Sequence, residues 1–284
     1  MGELPAGTRL GAIRLRVGDV GLLRDFYERA IGLRPLSADD GIATLGAGDG
    51  TLVELVSDPE APARPPRTTG LFHLALLVPG RVDLARALRR VFEAGWHLSG
   101  ASDHLVSEAL YLSDPEGNGI ELYRDRPREE WPHAGGELEM ATLPLDLESL
   151  LAEPGGDTDE AEMPEGTVLG HVHLQVADLA VAEAFWVDAL GLDVTVRGYP
   201  GALFASAGGY HHHVGLNTWA GVGAPRPPAG ARGLDRFELL LPDPDDADAA
   251  RGRLASIADV QGVDGGALAE DAAGNAVLVR AGGL

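Results

Sequence analysis

The sequence predicts an α+β protein made of four copies of one unit, each a strand, a helix and then two or three further strands. Three observations carry this reading. First, residues 10–17 (LGAIRLRV) and the helical run at 20–33 recur as residues 169–176 (LGHVHLQV) and 178–192 (DLAVAEAFWVDALGL). Both copies run from Asp and an aliphatic residue through an aromatic pair to Gly-Leu. Second, a different version opens with LFHLALLVP at 71–79 and returns as LDRFELLLP at 234–242. Third, SDPEGNGIELYR is mirrored by EDAAGNAVLVRA, with Gly117-Asn118 opposite Gly274-Asn275. Self-similarity at a fixed spacing is the signature of a repeated fold unit.

The elements follow in order. Residues 10–17 alternate as a strand does. Residues 20–33 (VGLLRDFYERAIGL) space their apolar positions as an amphipathic helix, stopped by Gly32. Strands are expected at 42–45 and 51–56. The second unit has its strand at 71–79, a helix at 82–94 and the hairpin DHLVSEALYLSDPEGNGIELY. In that hairpin residues 107–112 and 120–123 flank the dense turn signal Asp-Pro-Glu-Gly-Asn-Gly. The third unit continues with strands at 202–206 and 210–219, and the fourth has a helix at 247–257. Units at 8–57 and 70–126 form a first pair (8–130). Residues 131–166 form a linker with one packed element near 145–151 and a solvated acidic end. Units at 167–220 and 232–284 form a second pair (167–284).

Composition narrows the function. The chain has 284 residues, enough for two domains, and no cysteine, which excludes disulfides, thiolate metal sites and cysteine nucleophiles. All 22 basic residues are arginine, so a Schiff-base lysine is excluded too. A net charge of −22 argues against nucleic acid or an anionic membrane as partner. The N-terminus lacks a basic segment followed by an apolar run, and no stretch is long and apolar enough to span a bilayer. The expected location is the cytoplasm, with a homo-oligomer left open.

Glu121 is the first chemical signal. A carboxylate between Ile120 and Leu122 in a strand either faces water or needs a strong partner, because burying it alone costs several kcal/mol. The units also resemble the vicinal-oxygen-chelate superfamily of glyoxalase I, extradiol dioxygenases and bleomycin-resistance proteins. The opening HxHLxVxDL and DPxGNxIEL carry the likeness. LFHLALLVP, GHVHLQV and AGGYHHHVGLNTW make it most similar to CatE-type catechol-2,3-dioxygenases. The resemblance implies two cupped mixed sheets formed from paired units. It also implies ligand positions on the first and last strand of each unit. Aligned on strand ends, the first positions are Ala12, His73, His171 and Arg236, and the second are Glu54, Glu121, His213 and Leu278. Units one and four make a poor site. Units two and three offer His73, Glu121, His171 and His213 as metal ligands, and we favour their joint use. Sequential pairing would instead leave His73, Glu121 and Glu54 in one half.

Each histidine alone reads more simply as a structural residue; His173 is read as a core or solvent-facing histidine, and His97 and His133 as surface residues. On a strand through 210–213, His211 and His213 would share one face and His212 take the other. The resemblance implies a non-ligand catalytic histidine near His104, and His211 is a second candidate. It also implies a tyrosine just before the ligand glutamate. Glu116 stands near that place, with Tyr123 and Tyr210 as substitutes. Phe72, Phe204, Tyr210 and Trp219 are candidate substrate-binding residues.

Two imidazoles and a carboxylate suit non-haem Fe(II), with Mn(II), Ni(II), Co(II) or Zn(II) as other occupants. The implied reaction is extradiol cleavage of a small aromatic diol by dioxygen. A glyoxalase-like isomerase or lyase and a metal-free binding protein of the resistance kind are the alternatives.

Overall fold

The computed structural model describes residues 3–39, 41–155 and 161–282. All four repeats are present. The first contains β1 (Arg9–Val17), α1 (Val20–Phe26), β2 (Arg34–Asp39), β3 (Ile42–Ala47) and β4 (Gly50–Ser57). The second contains β5 (Gly70–Leu77), α2 (Arg81–Glu93), β6 (Gly100–Asp103), β7 (Ser107–Ser113) and β8 (Gly119–Asp125). Between repeats two and three lie β9 (His133–Ala134), β10 (Glu137–Leu138), β11 (Leu143–Pro144) and α3 (Leu147–Leu151). The third contains β12 (Val168–Gln175), α4 (Leu179–Glu183), β13 (Asp193–Val196), β14 (Ala202–Ser206) and β15 (Val214–Asn217). The fourth contains β16 (Gly233–Leu241), α5 (Pro244–Leu254), β17 (Val260–Val263), β18 (Gly266–Glu270) and β19 (Ala276–Ala281).

The strands form two large mixed sheets. One has the order β17-β18-β19-β16-β1-β4-β3-β2, the other β11-β6-β7-β8-β5-β12-β15-β14-β13. Within a repeat the first and last strands run parallel, as β5 and β8 or β16 and β19 do, and the hairpins are antiparallel. Contacts group the chain into two compact units. One takes residues up to Arg14, Pro62–Phe72 and from Gly170 onward; the other takes Leu15–Ala61 and His73–Leu169.

The matching motifs do matching jobs. Asp19 and Asp178 cap α1 and α4, Asp19 accepting the N–H of Leu22 and Asp178 those of Ala180 and Val181. Both helices run on into a wider π-turn, Tyr27–Ile31 and Ala184–Ala189. A π-turn rotates the side chains that follow relative to the α-helical face, and here it carries Tyr27 and Trp186. The Tyr27 hydroxyl donates to Asp114 Oδ2 at 3.4 Å, and Trp186 Nε1 donates to Asp271 Oδ2 at 3.0 Å. Those aspartates hold the repeated hairpin turn. Asp114 Oδ1 accepts the N–H groups of Glu116 and Asn118, and Asp271 Oδ1 those of Ala273 and Asn275. So the D-x-x-G-N pattern is a turn lock, tied in each half to an aromatic residue of the preceding repeat.

Some sequence expectations shift. The helix expected at 178–192 is α-helical only over Leu179–Glu183 before the π-turn. The last helix starts earlier, at Pro244, with Asp243 as its cap. Residues 131–166 are more structured than a linker with one element, since β11 pairs with β6. The acidic stretch at 156–160 lies outside the described residues.

Candidate metal centre

Strand register places the first two ligand candidates. In the parallel pair of β5 and β8, Ala75 lies opposite Glu121, and His73 stands two residues before Ala75. Side chains two apart on a strand share a face. His73 Nε2 and Glu121 Oε2 are 2.9 Å apart. His171 comes from β12. All three are buried, at 6%, 3% and 1% exposure. Each offers one ligand atom, and the three atoms lie within 4.8 Å of one another, the one such group among the described residues. A dry carboxylate beside two imidazoles suits a divalent cation: the oxygen supplies charge, and the neutral rings supply lone pairs.

A hydrogen-bonded pair stands beside this group. Tyr111 on β7 lies directly opposite Glu121 on β8, and directly opposed residues share a face of the sheet. Its ring centroid is 5.7 Å from that of His73. The Tyr111 hydroxyl is 2.6 Å from His104 Nε2, and His104 Nδ1 is 2.6 Å from the carbonyl oxygen of Ala141. A carbonyl only accepts, so Nδ1 carries a hydrogen. In the neutral ring Nε2 then accepts the tyrosine proton. His104 is held by a tight turn between β6 and β7, where Leu105 takes φ +70° and its N–H bonds to Asp103 Oδ1. Ala141 belongs to the segment preceding β11, so residues read as linker fix the ring.

Tyr111 is the functional candidate that sequence reasoning missed. The resemblance implies a tyrosine just before the glutamate in the chain; the hairpin instead sets Tyr111 across the ladder from it. Glu116, which stood in its place, instead accepts the N–H groups of Gly18 and Asp19. Tyr123, two residues beyond Glu121, is fully buried against Ala75 and Ala109.

The histidine run departs from expectation. The strand expected at 210–219 is formed only over Val214–Asn217, so the alternating-face reading of 211–213 does not hold. Gly208 and Gly209, at φ +63° and +67°, turn the chain there instead. His211 Nδ1 and His212 Nδ1 face each other at 2.8 Å. The His212 ring centroid lies 4.1 Å from that of His171. His213 stands outside the group of three, and its Nδ1 accepts the N–H of Ala207 at 3.2 Å. Tyr210 stacks on His211 at 4.0 Å. Phe204 is buried and meets both His173 and His212. Phe72 and Trp219 are in ring contact at 5.2 Å and both reach solvent. His173, taken as structural, is buried among these rings. His97 and His133 are exposed. At the weaker position set, Ala12 and Leu278 offer no ligand atom, and Arg236 is paired with Asp264.

The model of the glyoxalase/bleomycin resistance protein/dioxygenase superfamily matches residues 9–122 and 168–259. The chain belongs to this superfamily. It is 44% identical over 259 residues to a catechol-2,3-dioxygenase of Bacillus subtilis (strain 168), covering 89% of this chain and 90% of that one. Solved structures share the superfamily fold at low identity. A dioxygenase candidate from Bacillus subtilis subsp. subtilis str. 168 gives a TM-score of 0.67 at 14% identity, over 99% of this chain and 87% of that one. Glyoxalase I from Zea mays gives 0.59 at 17%, over 97% and 92%. Among the described residues of this superfamily member, no helix is long and apolar enough to cross a membrane.

Proposed function

We propose that the protein is a metal-dependent extradiol dioxygenase of the catechol 2,3 type, with Fe(II) held by His73, Glu121 and His171. The observation that carries this reading is the convergence of two buried imidazoles and one buried carboxylate to within 4.8 Å. The 44% identical Bacillus catechol-2,3-dioxygenase supports the reaction class. A divalent iron held by these three residues would supply Lewis-acid and electron-transfer chemistry between the diol and dioxygen.

The chain's own residues supply positioning and proton handling. Glu121 balances the cation's charge, and the burial of all three donors keeps water from competing for it. Tyr111 points its hydroxyl hydrogen at His104 and keeps its oxygen lone pairs for a diol hydroxyl. A proton leaving the diol passes to the Tyr111 oxygen as the Tyr111 hydrogen passes to His104 Nε2. The resulting imidazolium is held at Nδ1 by the Ala141 carbonyl. Balance is simple: one bond between a hydroxylated ring carbon and its non-hydroxylated neighbour breaks, and both oxygen atoms of dioxygen enter the product. His211 and His212 pack on the ligand His171 and hold it in place.

The test is an oxygen electrode with the iron-loaded protein and catechol. One dioxygen consumed per catechol, with a yellow ring-opened product, is the expected result. Iron-loaded protein that turns over without oxygen uptake, as a glyoxalase-like lyase would on its own substrate, overturns the reading.

A further inference from the structure

His104 is held at both ring nitrogens, by the Tyr111 hydroxyl and by the Ala141 carbonyl, each at 2.6 Å. Two bonds that short leave the ring little freedom. The loop that carries it, residues 104–107, closes between the paired residues Asp103 and Glu108. It is not a relaxed turn. Leu105 takes φ +70°, a conformation that is costly for a residue with a Cβ and persists only where the surroundings enforce it.

Arg126, just past the end of β8, supplies that enforcement. Its Nη2 donates to Asp103 Oδ2 at 2.8 Å and to Glu108 Oε1 at 3.3 Å, so one guanidinium spans both residues at the foot of the loop. Its backbone N–H donates to the Val106 carbonyl, inside the loop, at 2.8 Å. Trp131 Nε1 in turn donates to the Arg126 carbonyl at 2.9 Å. Balancing the charge of Glu108 does not require this arginine. Glu108, buried at 5% exposure, already accepts from Arg81 Nε at 2.9 Å and from Arg124 Nε at 3.0 Å. The shorter contact of Arg126 is with Asp103. With Oδ2 on Arg126, Asp103 turns Oδ1 to the Leu105 N–H at 2.9 Å, the bond that holds the turn beside His104.

We infer that Arg126 is a positioning residue that acts through Asp103 to hold His104 in line with the Tyr111 hydroxyl. The inference rests on the dioxygenase reading above and adds to it the group that keeps the proton acceptor in register. A guanidinium suits the task, being planar, always charged and able to meet two carboxylates at once. Without it the loop is free to relax at Leu105, and a turn of the backbone there swings the imidazole off both its partners. Proton transfer is sensitive to such a shift: a misplacement of about 1 Å can cost about 10²-fold in rate.

The test pairs kinetics with NMR. Arg126→Ala should lower kcat for catechol cleavage about tenfold or more, with KM and bound iron at parent levels. Asp103→Asn keeps the side chain's size but turns an amide N–H toward the guanidinium, and should give a loss of the same kind. In the Tyr111→Phe background, where no proton reaches His104 from the tyrosine, Arg126→Ala should add less than about a twofold loss. A merely structural arginine would multiply the two losses. Nitrogen NMR of histidine-labelled protein loaded with Zn(II) reads the ring without turnover, with His104→Gln assigning its signals. The parent should show one neutral tautomer, with the hydrogen on Nδ1, and Arg126→Ala a mixture of the two. Circular dichroism checks that the variants are folded. Parent kcat in both Arg126→Ala and Asp103→Asn, multiplied losses with Tyr111→Phe, or an unchanged tautomer in Arg126→Ala overturns the role. A parent protein that takes up no oxygen with catechol overturns the dioxygenase reading alone, and the tautomer of His104 still decides the role of Arg126.

Discussion

The hydroxyl of Tyr111 lies 2.6 Å from His104 Nε2, and His104 is locked from its other side by the Ala141 carbonyl. The two residues sit at opposite ends of one short segment, and Tyr111 faces Glu121 across the hairpin. In the proposed mechanism this sets the proton-accepting pair directly beside the candidate ligand Glu121.

Tyr111→Phe removes the hydroxyl and leaves the packing of the ring. Loss of a proton-handling group costs about 10²-fold or more in rate. We expect kcat for catechol cleavage to fall by that order while bound iron stays at the parent level. Rate and metal content measured on the same sample check this. A parallel loss of iron would mean that Tyr111 acts on the ligands rather than on the proton.

Glu121→Gln keeps the shape of the side chain and removes its charge. The expected outcome is loss of most bound metal and of activity, with the circular dichroism spectrum retained. Metal analysis after gel filtration decides it, and full metal content in the variant would remove Glu121 from the ligand set.

Tyr27 supplies a pH prediction. Its burial, and then the nearby Asp114 carboxylate, push its pKa well above the ordinary value of 10.0. A folded-state pKa above the unfolded one means stability that is complete below pH 10.0 and is lost as pH rises toward the folded value. Tyr27→Phe has no such proton to lose. Above pH 10 its stability should fall less steeply than the parent's, by about 1.4 kcal/mol per pH unit. Urea melts at neutral and alkaline pH measure this slope, and equal slopes would contradict the burial account.

Glu116→Ala tests the turn as a helix anchor. Glu116 accepts the N–H groups of Gly18 and Asp19, at the entrance to α1. Its removal should cost about 0.5–2 kcal/mol, the range for a lost helix cap, with catechol turnover near parent values. A variant as stable as the parent would show that solvent replaces the carboxylate.

The repeats and hairpin were legible because their signals are local: two-residue alternation, helical spacing and dense turn residues. The resemblance implies ligand positions on the first and last strands of each unit, and aligning strand ends carries them to His73, Glu121 and His171, the three residues that the structure brings within 4.8 Å of one another. Tyr111 was not reached, although the sequence contained what was needed. Ser113 pairs with Gly119 across the Asp-Pro-Glu-Gly-Asn turn, and counting back two rungs sets Tyr111 against Glu121. The run at 211–213 was misread because histidines in a row were given strand periodicity, while Gly208-Gly209 just before them breaks the strand. The π-turns at Tyr27–Ile31 and Ala184–Ala189 each fill little more than one turn at the end of a helix, too short a stretch for apolar spacing to separate from an α-helix.

The claim on which the rest depends is that His73, Glu121 and His171 hold one metal ion. Anomalous diffraction at the iron edge, from crystals loaded with Fe(II) without oxygen, tests it most directly. We predict one peak with an atom of each of the three residues about 2.0–2.3 Å away, and with His213 outside that distance. A peak that omits Glu121 or His171, or that recruits His213 in place of either, would contradict it.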